Sequence, residues 1–347
     1  MKRPIVFFVF FAFLTGMGFA QNDLQPAVII RLTKSEPITV KQFRTEVERM
    51  EKAAGRTLNA TERRQVLDVM INEKLALQAA ERDRITISEN EINQQIQQLK
   101  SGMVEQIGRQ PTDAEFAIAV RNETGLEVTA FREQLRRQMI VQKYLLSKKQ
   151  NILESVQIPT DEEIRNTYTL AKTQFVRPDT VRFSYIQVPF GTDGAEKTKA
   201  REAADRLIRE IGSSAAKFDE AVIRGQVPTS GYQAGDGGYL PRNIEAQQLM
   251  GAEFISVAFS LKQGEVSKLI EGARGFQIIK ITETYEQKNL ELDDVIQLGT
   301  RITVRDYIGN SLLQERQQVV LEKATTELVT ELRTGNPFQI FENNLSW

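Results

Sequence analysis

Residues 181–190 read VRFSYIQVPF, and residues 275–281 read GFQIIKI. The first stretch alternates apolar and polar side chains with the period of two that is typical of a β-strand. The second is rich in β-branched and apolar residues, as expected for a central strand. Between them, AGDGGYL at 234–240 contains glycines suited to tight backbone turns, and a charged helix is predicted at 195–211. These stretches predict a small sheet with helices in the second half of the chain.

The first half of the chain predicts amphipathic helices with clear starting points. Four residues are each followed three positions later by Gln or Glu, the spacing of a capping box that satisfies free amides at a helix entry. They are Thr39, Asn59, Ser88 and Thr112. The helices at 60–84 and 129–146 carry apolar side chains at steps of three and four residues. Each stripe is either core or the lining of a groove, and the sequence leaves both readings open.

The composition excludes several kinds of chemistry. The 347 residues contain no cysteine and no histidine. Disulfides, thiolate nucleophiles and Ser-His-Asp or Cys-His arrangements are therefore excluded, and a zinc site would need carboxylates alone. Gly235, Gly237 and Gly238 do not match the GxGxxG spacing of a nucleotide-binding loop. We therefore expect no metal, no nucleotide and no other cofactor.

The N-terminus has the pattern of a secretory leader. Lys2 and Arg3 precede an apolar stretch at 5–14, and small residues stand at Gly18 and Ala20 before a polar continuation. The apolar stretch is short for a membrane span. We predict cleavage after Ala20 and a periplasmic mature protein; an uncleaved membrane anchor is the alternative.

Length and charge are those of an ordinary globular protein. The composition of 41% hydrophobic and 26% charged residues, over 347 positions, predicts two or three domains with apolar cores. Removal of Lys2 and Arg3 with the leader reduces 45 basic residues to 43 against 46 acidic ones, so the mature formal charge is −3. Nothing in this balance predicts binding to nucleic acid.

Four segments together resemble the parvulin (rotamase) family in their order and spacing. They are VRFSYIQVPF at 181–190, AGDGGYL at 234–240, LMGAEFISVAFSLKQGEVSKLI at 249–270 and GFQIIKI at 275–281. The resemblance implies a peptidyl-prolyl isomerase domain, in which an apolar pocket holds a proline ring. By position, it assigns this peptide-binding pocket to Met250, Phe254 and Phe259. The alternative for Met250 and Phe254 is that they only fill the core of the domain.

The polar centre that the parvulin resemblance implies is absent from this chain. Parvulins surround the twisting amide with two histidines and an Asp or Cys; the matching positions here are Tyr185, Gln277 and, in a loosely aligned loop, Val227. Tyrosine and glutamine side chains form hydrogen bonds but do not titrate near neutral pH. We therefore name no catalytic residue and expect isomerase activity to be weak or absent.

Residues 25–160 resemble the N-terminal domain of the SurA-like periplasmic chaperones. The matching segments are ITVKQF at 38–43, RRQVLDVMINEKLALQAA at 63–80 and ITISENEINQQI at 85–96. A C-terminal helix that folds back onto this domain is a further feature of the family. Here a helix is predicted at 290–333, with a possible break at Gly309 and stop signals at Gly335 and Pro337. Residues 338–341 then predict a last strand that pairs with 27–32.

The predicted fold class is α+β, with a mainly helical domain completed by the C-terminal helix and a small parvulin-like domain with an antiparallel-type sheet. The expected parts are a leader at 1–20, a chaperone domain at 21–160, a linker helix at 161–180, the parvulin-like domain at 181–285 and the returning helix and strand at 286–347.

The resemblances imply three possible functions. The first is a periplasmic chaperone for unfolded or extended polypeptides, with outer-membrane proteins among its clients, that meets the membrane only through them. The second is an active peptidyl-prolyl isomerase that uses Tyr185 and Gln277 in place of histidines. The third is a secreted scaffold with one dedicated partner.

Overall fold

The computed structural model describes residues 23–104, 108–191 and 194–345. It contains two compact units. Unit 1 comprises the described residues up to Val156 and from Arg316 onward, and unit 2 comprises Gln157–Glu315.

The leader predicted at 1–20 lies outside the described residues, so its cleavage after Ala20 stays a prediction. Within the described ranges, no helix combines the length and the apolar character needed to cross a bilayer.

Unit 1 is mainly helical. An antiparallel hairpin of β1 (Pro26–Ile30) and β2 (Glu36–Thr39) leads into a series of helices. They are α1 (Val40–Ala54), α2 (Ala60–Arg82), α3 (Glu89–Gly102), α4 (Asp113–Thr124) and α5 (Val128–Leu153). The two predicted amphipathic helices are present as α2 and α5, and α5 extends further at its C-terminal end.

All four predicted capping boxes form. At each one the cap side chain accepts a hydrogen bond from the backbone three residues on, and the Gln or Glu side chain there accepts one from the cap backbone. At the start of α3, the backbone N–H and hydroxyl of Ser88 and the amine of Lys143 all donate to Glu91, which lowers the pKa of that carboxyl to about 2. The spacing in the sequence was therefore sufficient to place these helix starts.

The C-terminal helix α11 (Val304–Arg333) begins later than the predicted 290–333. Its true start is a further capping pair: the backbone N–H of Thr303 donates to the Asp306 carboxylate, and the Asp306 N–H donates to the Thr303 hydroxyl. The apolar residues that precede Val304 had led to the prediction of a longer helix. Leu290 is instead buried in a loop that packs against other residues of unit 2.

The end of the chain completes the first sheet. Strand β9 (Phe338–Ile340) pairs antiparallel with β1, with Val28 opposite Ile340, which gives the strand order β2-β1-β9. This pairing confirms the predicted contact of the last strand with 27–32. Gly335, at φ +79°, turns the chain out of α11, a backbone conformation that glycine adopts without steric cost.

Unit 2 begins before the predicted parvulin-like domain and ends after it. Helix α6 (Asp161–Ala171) forms an apolar cluster with the start of α11 and with Phe175 and Leu290. These two residues directly flank the short antiparallel pair of β3 (Val176–Arg177) and β8 (Lys288–Asn289). The segment 161–180, predicted as a linker helix, therefore packs within unit 2. Of the helix and strand predicted at 286–347 to return to the N-terminal domain, only the part from Arg316 onward belongs to unit 1.

Gly309 does not break α11, contrary to the expectation from the sequence. The helix is continuous through this position. A Cβ there would lie 3.4 Å from Cδ1 of Ile164 on α6, an ordinary contact distance, so the packing of α6 against α11 does not require glycine.

The main sheet of unit 2 is antiparallel. Its strands are β4 (Thr180–Pro189), β5 (Gln233–Pro241), β6 (Ile270–Glu271) and β7 (Gly275–Tyr285). The order is β5-β4-β7-β6, so the two strands predicted from the sequence are the central pair. With the helical unit 1, this sheet gives the predicted α+β class.

Helices cover both faces of this sheet. On one face, α7 (Gly194–Ile211) and α8 (Ala215–Gly225) pack against Ile186 and Ile278. On the other face, α9 (Ile244–Met250) and α10 (Ala252–Ser260) pack against residues that include Phe183 and Ile279. The two central strands are consequently buried on both sides.

A buried glutamine fixes the hairpin of unit 1 to α2. Gln78 is 1% exposed, and its Oε1 accepts a hydrogen bond from the Thr33 amide at 3.1 Å. Its Nε2 donates to the Lys34 carbonyl at 3.0 Å and to Oε2 of Glu36 at 2.9 Å. All three partners lie in or beside the turn between β1 and β2, so this one side chain bonds two backbone groups of the turn and the first side chain of β2.

We predict that Gln78→Met destabilises the protein by about 2 kcal/mol or more, because it removes the three hydrogen bonds that this buried side chain makes to the turn. Urea unfolding followed by circular dichroism measures the loss. The matched control is Gln98→Met on the exposed side of α3, which should change the free energy of unfolding by no more than about 0.5 kcal/mol. Equal effects of the two substitutions would contradict the assigned role of Gln78.

Candidate functional site

The central strands of unit 2 bring Tyr185 and Gln277 to one face of the sheet. These are the two positions at which the parvulin resemblance expects histidine. In the pairing of β4 with β7, Tyr185 lies opposite Ile279 and Gln187 lies opposite Gln277. Side chains alternate between the two faces of a strand, so Tyr185, Gln187 and Gln277 share the face that α9 and α10 cover. Gln187 was missed from the sequence, although its position two residues after Tyr185 could have indicated it.

The apolar part of this face is formed by the predicted pocket residues. Phe254 is 2% exposed, and its ring lies edge-on to that of Phe183 with 5.4 Å between centroids, so it is core. Met250 and Phe259 pack against the same cluster but stay partly exposed. The Arg242 guanidinium lies over the Phe259 ring, 5.4 Å from its centroid. Contact with a peptide is thus open to Met250 and Phe259, while Phe254 supports them from below.

The polar side chains of this face have unused hydrogen-bonding capacity. Among the described residues, Tyr185, Gln187 and Gln277 have no hydrogen-bonded or ionic side-chain partner. Two glycines leave room for them: the Tyr185 ring lies 3.8 Å from the position of a Cβ on Gly235, and Gln277 Oε1 lies 3.1 Å from that of a Cβ on Gly272. A hydroxyl and two amides are therefore available to a ligand beside an apolar floor.

Val227 is not part of this arrangement. It follows α8, a helix that packs on the opposite face of the sheet, and it is 53% exposed. There it lines a cavity of about 580 Å³ with Arg206, Arg224 and Tyr232. The face that carries Tyr185 can therefore hold an amide by hydrogen bonds and desolvate it, but its named polar side chains include no histidine and no carboxylate.

A charged cluster ties the sheet together at the other end of β4. Arg182 donates to Asp236 of β5 at 2.6 Å and to Glu283 of β7 at 2.9 Å, and its guanidinium lies 5.2 Å from the centroid of the Tyr239 ring. The hydrogen bond from Arg182 lowers the pKa of Asp236, and hydrogen bonds from Tyr285 and then Arg182 lower that of Glu283. The bond to Glu283 raises the pKa of Tyr285 to about 12. These charges had no recognisable spacing in the sequence.

We predict that the stabilisation lost in Arg182→Leu depends on pH. Because the pKa values of Asp236 and Glu283 are lowered in the folded state, their contribution is present above their unfolded values near 4 and is lost as the pH falls through the lowered values. The difference in unfolding free energy between wild type and variant should be constant from about pH 5 to 7 and shrink towards about pH 3.

Arg209→Leu is the matched control, since Arg209 is exposed on α7 and has no partner among the described residues. It should show no comparable dependence. Chemical denaturation at a series of pH values measures both variants, and a difference for Arg182→Leu that stays unchanged down to about pH 3 would contradict the assignment.

Comparisons with known proteins agree with this architecture. Residues 4–145 match the family model of the SurA-like N-terminal domain, and residues 159–297 match that of the PPIC-type PPIase domain. Chaperone SurA of Saccharophagus degradans is 26% identical over 295 residues, which cover 82% of this chain and 64% of that protein. Foldase protein PrsA of Clostridium botulinum is 23% identical over 337 residues, which cover 96% of this chain and 88% of that protein.

Among solved structures, a SurA-like chaperone of Campylobacter jejuni covers 91% of this chain and 100% of its own, at 12% identity and a TM-score of 0.40. The chain spans about two thirds of the length of the SurA relative and most of the length of PrsA. The two family models follow each other along most of the sequence, and the chain therefore carries a SurA-like N-terminal domain followed by a PPIC-type (parvulin) PPIase domain.

Proposed function

We propose that this protein is an extracytoplasmic folding factor that binds unfolded segments of exported proteins, outer-membrane proteins among them. Its relatives carry the names chaperone and foldase. Location in the periplasm rests on the predicted leader at 1–20, and contact with the membrane would occur only through clients. Binding uses apolar contact and hydrogen bonds to the client backbone, without a nucleotide.

The apolar surface of α5 in unit 1 supports client binding. Leu146 belongs to the apolar stripe predicted from the sequence, but it is 51% exposed, so the stripe is not all core. With Leu153 and the polar residues Ser147, Gln150 and Glu154 it lines a surface cavity of about 420 Å³. Single exposed apolar residues are common on soluble proteins, whereas apolar residues that line a concave surface are typical of binding sites. This cavity is the observation that carries the assignment of client binding to unit 1.

The parvulin-like domain, we infer, binds peptide but isomerises proline bonds weakly or not at all. The X-Pro amide has a rotation barrier of about 18–20 kcal/mol. A site that only desolvates and strains the amide can lower that barrier in part. The parvulin resemblance assigns Tyr185 and Gln277 to the histidine positions, and Val227 lies off their face of the sheet, which supports the absence of the family's hydrogen-bonded cluster.

We predict that residues 21–347 suppress aggregation of an unfolded outer-membrane β-barrel protein, measured by light scattering after dilution from urea. Suppression should persist when residues 181–284 are replaced by a short Gly-Ser turn. Thr180 and Tyr285 are paired across β4 and β7, so their ends are already adjacent and the turn introduces no strain. If neither protein suppresses aggregation, the proposed function is wrong.

Leu146→Ser should weaken this suppression in both proteins, because it removes apolar surface from the cavity on α5. The matched control is Leu170→Ser on α6, where the leucine is 89% exposed and lies outside that cavity. A loss of the same size in the control would remove the assignment to the α5 surface.

One observation favours an active isomerase as the second candidate: the Tyr185 hydroxyl has no partner among the described residues and stands on the face that Phe254 supports. Phe254→Ala is a poor test of it, because truncating a buried phenylalanine costs about 3–5 kcal/mol of stability. Tyr185→Phe keeps the ring and removes only the hydroxyl.

We predict that the wild type isomerises short proline peptides at close to the uncatalysed rate and that Tyr185→Phe leaves this rate unchanged. The double variant Tyr185→His with Gln277→His should raise the rate by about tenfold or more, because the sheet and the apolar floor already have the parvulin arrangement. A protease-coupled peptide assay measures all three proteins. Rapid catalysis by the wild type that is lost in Tyr185→Phe would establish the isomerase instead.

A further inference from the structure

One edge of the unit 2 sheet is open. Strand β5 is outermost and pairs only with β4, in regular register along Gln233–Asp236. Within the described ranges, no backbone hydrogen bond joins these four residues to any segment other than β4. Gln233 and Asp236 are exposed. An outermost strand presents a row of free backbone N–H and C=O groups, and only another extended chain repeats them at the matching spacing.

A cavity with an unpaired positive charge opens at the start of this edge. Gly231 and Tyr232, which directly precede Gln233, line the 580 Å³ cavity together with Arg206 of α7 and Arg224 of α8. Arg224 is paired with Glu210 at 2.5 Å. Arg206, in contrast, has no hydrogen-bonded or ionic partner among the described residues. The cavity therefore favours an acidic group over a neutral one.

We propose that an extended polypeptide segment adds as a further strand to the Gln233–Asp236 edge and places an acidic side chain beside Arg206. This inference rests on the proposed binding of unfolded polypeptides and specifies the surface and the client sequence: an extended stretch that contains Asp or Glu. The edge supplies main-chain affinity that is independent of sequence, and the cavity supplies the preference. Residues 231–233 join the two features directly, so one short segment can occupy both.

The edge is also connected to the face that carries Tyr185. Gly235 lies opposite Tyr185, and its lack of a side chain leaves the Tyr185 ring accessible from the edge. An added strand would run about 4.8 Å from β5. The regular edge ends beyond Asp236, where a bulge places Ser184 opposite Asp236 and Phe183 opposite Gly238. Bulges limit pairing between the edges of sheets. The part of β5 that can accept a further strand is therefore short, which disfavours edge-to-edge association of whole sheets.

The absence of cysteine from the chain allows a direct test of strand addition. Gln233→Cys creates a single thiol on the edge. The probe is a synthetic peptide of alternating threonine and valine with one glutamate and one cysteine, the cysteine activated as its thiopyridyl disulfide and moved one position at a time. Attack by the protein thiolate forms the mixed disulfide and releases thiopyridone, whose absorbance reports the rate. Alternate peptide positions should react at least about tenfold faster than their neighbours, because successive side chains in a strand point to opposite faces.

Lys268→Cys is the matched control, since this exposed residue lies beside β6 at the opposite edge of the sheet. It should react at one rate for all peptide positions. Equal rates along the peptide for Gln233→Cys would overturn the proposal. A disulfide-linked dimer of Gln233→Cys that forms without peptide and excludes it would overturn it as well, because it would assign the edge to a second copy of the chain.

The charge preference is tested in the cysteine-free protein by fluorescence anisotropy with the glutamate peptide and its glutamine counterpart. Arg206→Gln should weaken binding of the glutamate peptide about tenfold and leave the glutamine peptide unchanged. Arg209→Gln, on the same helix but outside the cavity, should change neither. A similar loss for both peptides, or from both substitutions, would refute the role of Arg206. If these tests fail while aggregation is still suppressed, the edge is wrong and the chaperone function stands.

Discussion

The pairing of β4 with β7 is the constraint on which the arrangement of unit 2 depends. Both strands are buried on both faces, with Ile186 and Ile278 on one side and Phe183 and Ile279 on the other. A shift of the pairing register by one residue would move every side chain of a strand to the opposite face of the sheet. The apolar side chains would then no longer fit the helices that cover each face. The register is therefore fixed by packing, and the same register places Gln277 two residues from the partner of Tyr185. The position of the candidate site is thus a consequence of the core.

Unit 1 depends on a different constraint, which is the packing of its C-terminal segment, from Arg316 onward, against its N-terminal strands and helices. Strand β9 completes the sheet that β1 begins, and Leu328 and Leu332 of α11 enter the core formed by α2. Lys149 on α5, only 8% exposed in its side chain, pairs with Glu327 and Glu331 of α11. A buried amine without such partners would be costly, so the pairing also specifies which part of α11 returns. The N-terminal helices consequently lack a complete core until the C-terminus has been made.

The two proposed binding surfaces of unit 2 share a physical character. The face with Tyr185 offers a hydroxyl and amides beside apolar side chains, and the edge of β5 offers backbone groups. Interactions of this kind recognise an extended main chain and tolerate many side-chain sequences. The chain has no histidine, the residue to which the parvulin resemblance assigns two positions on this face. Under the proposed function, this domain binds peptides without the two histidines that the parvulin resemblance associates with isomerisation.

The sequence by itself determined the local structure of this protein. Capping spacings such as Asn59 with Glu62 placed helix starts, alternation and β-branching identified β4 and β7, and the lack of histidine excluded a standard parvulin centre. These features act over a few residues, so the chain shows them directly. Tertiary structure decided that Phe254 is core while Met250 stays accessible, that Val227 is off the face, and that Arg206 beside the edge of β5 is unpaired. Burial and pairing of charges depend on segments that meet only after folding, and no local spacing records them.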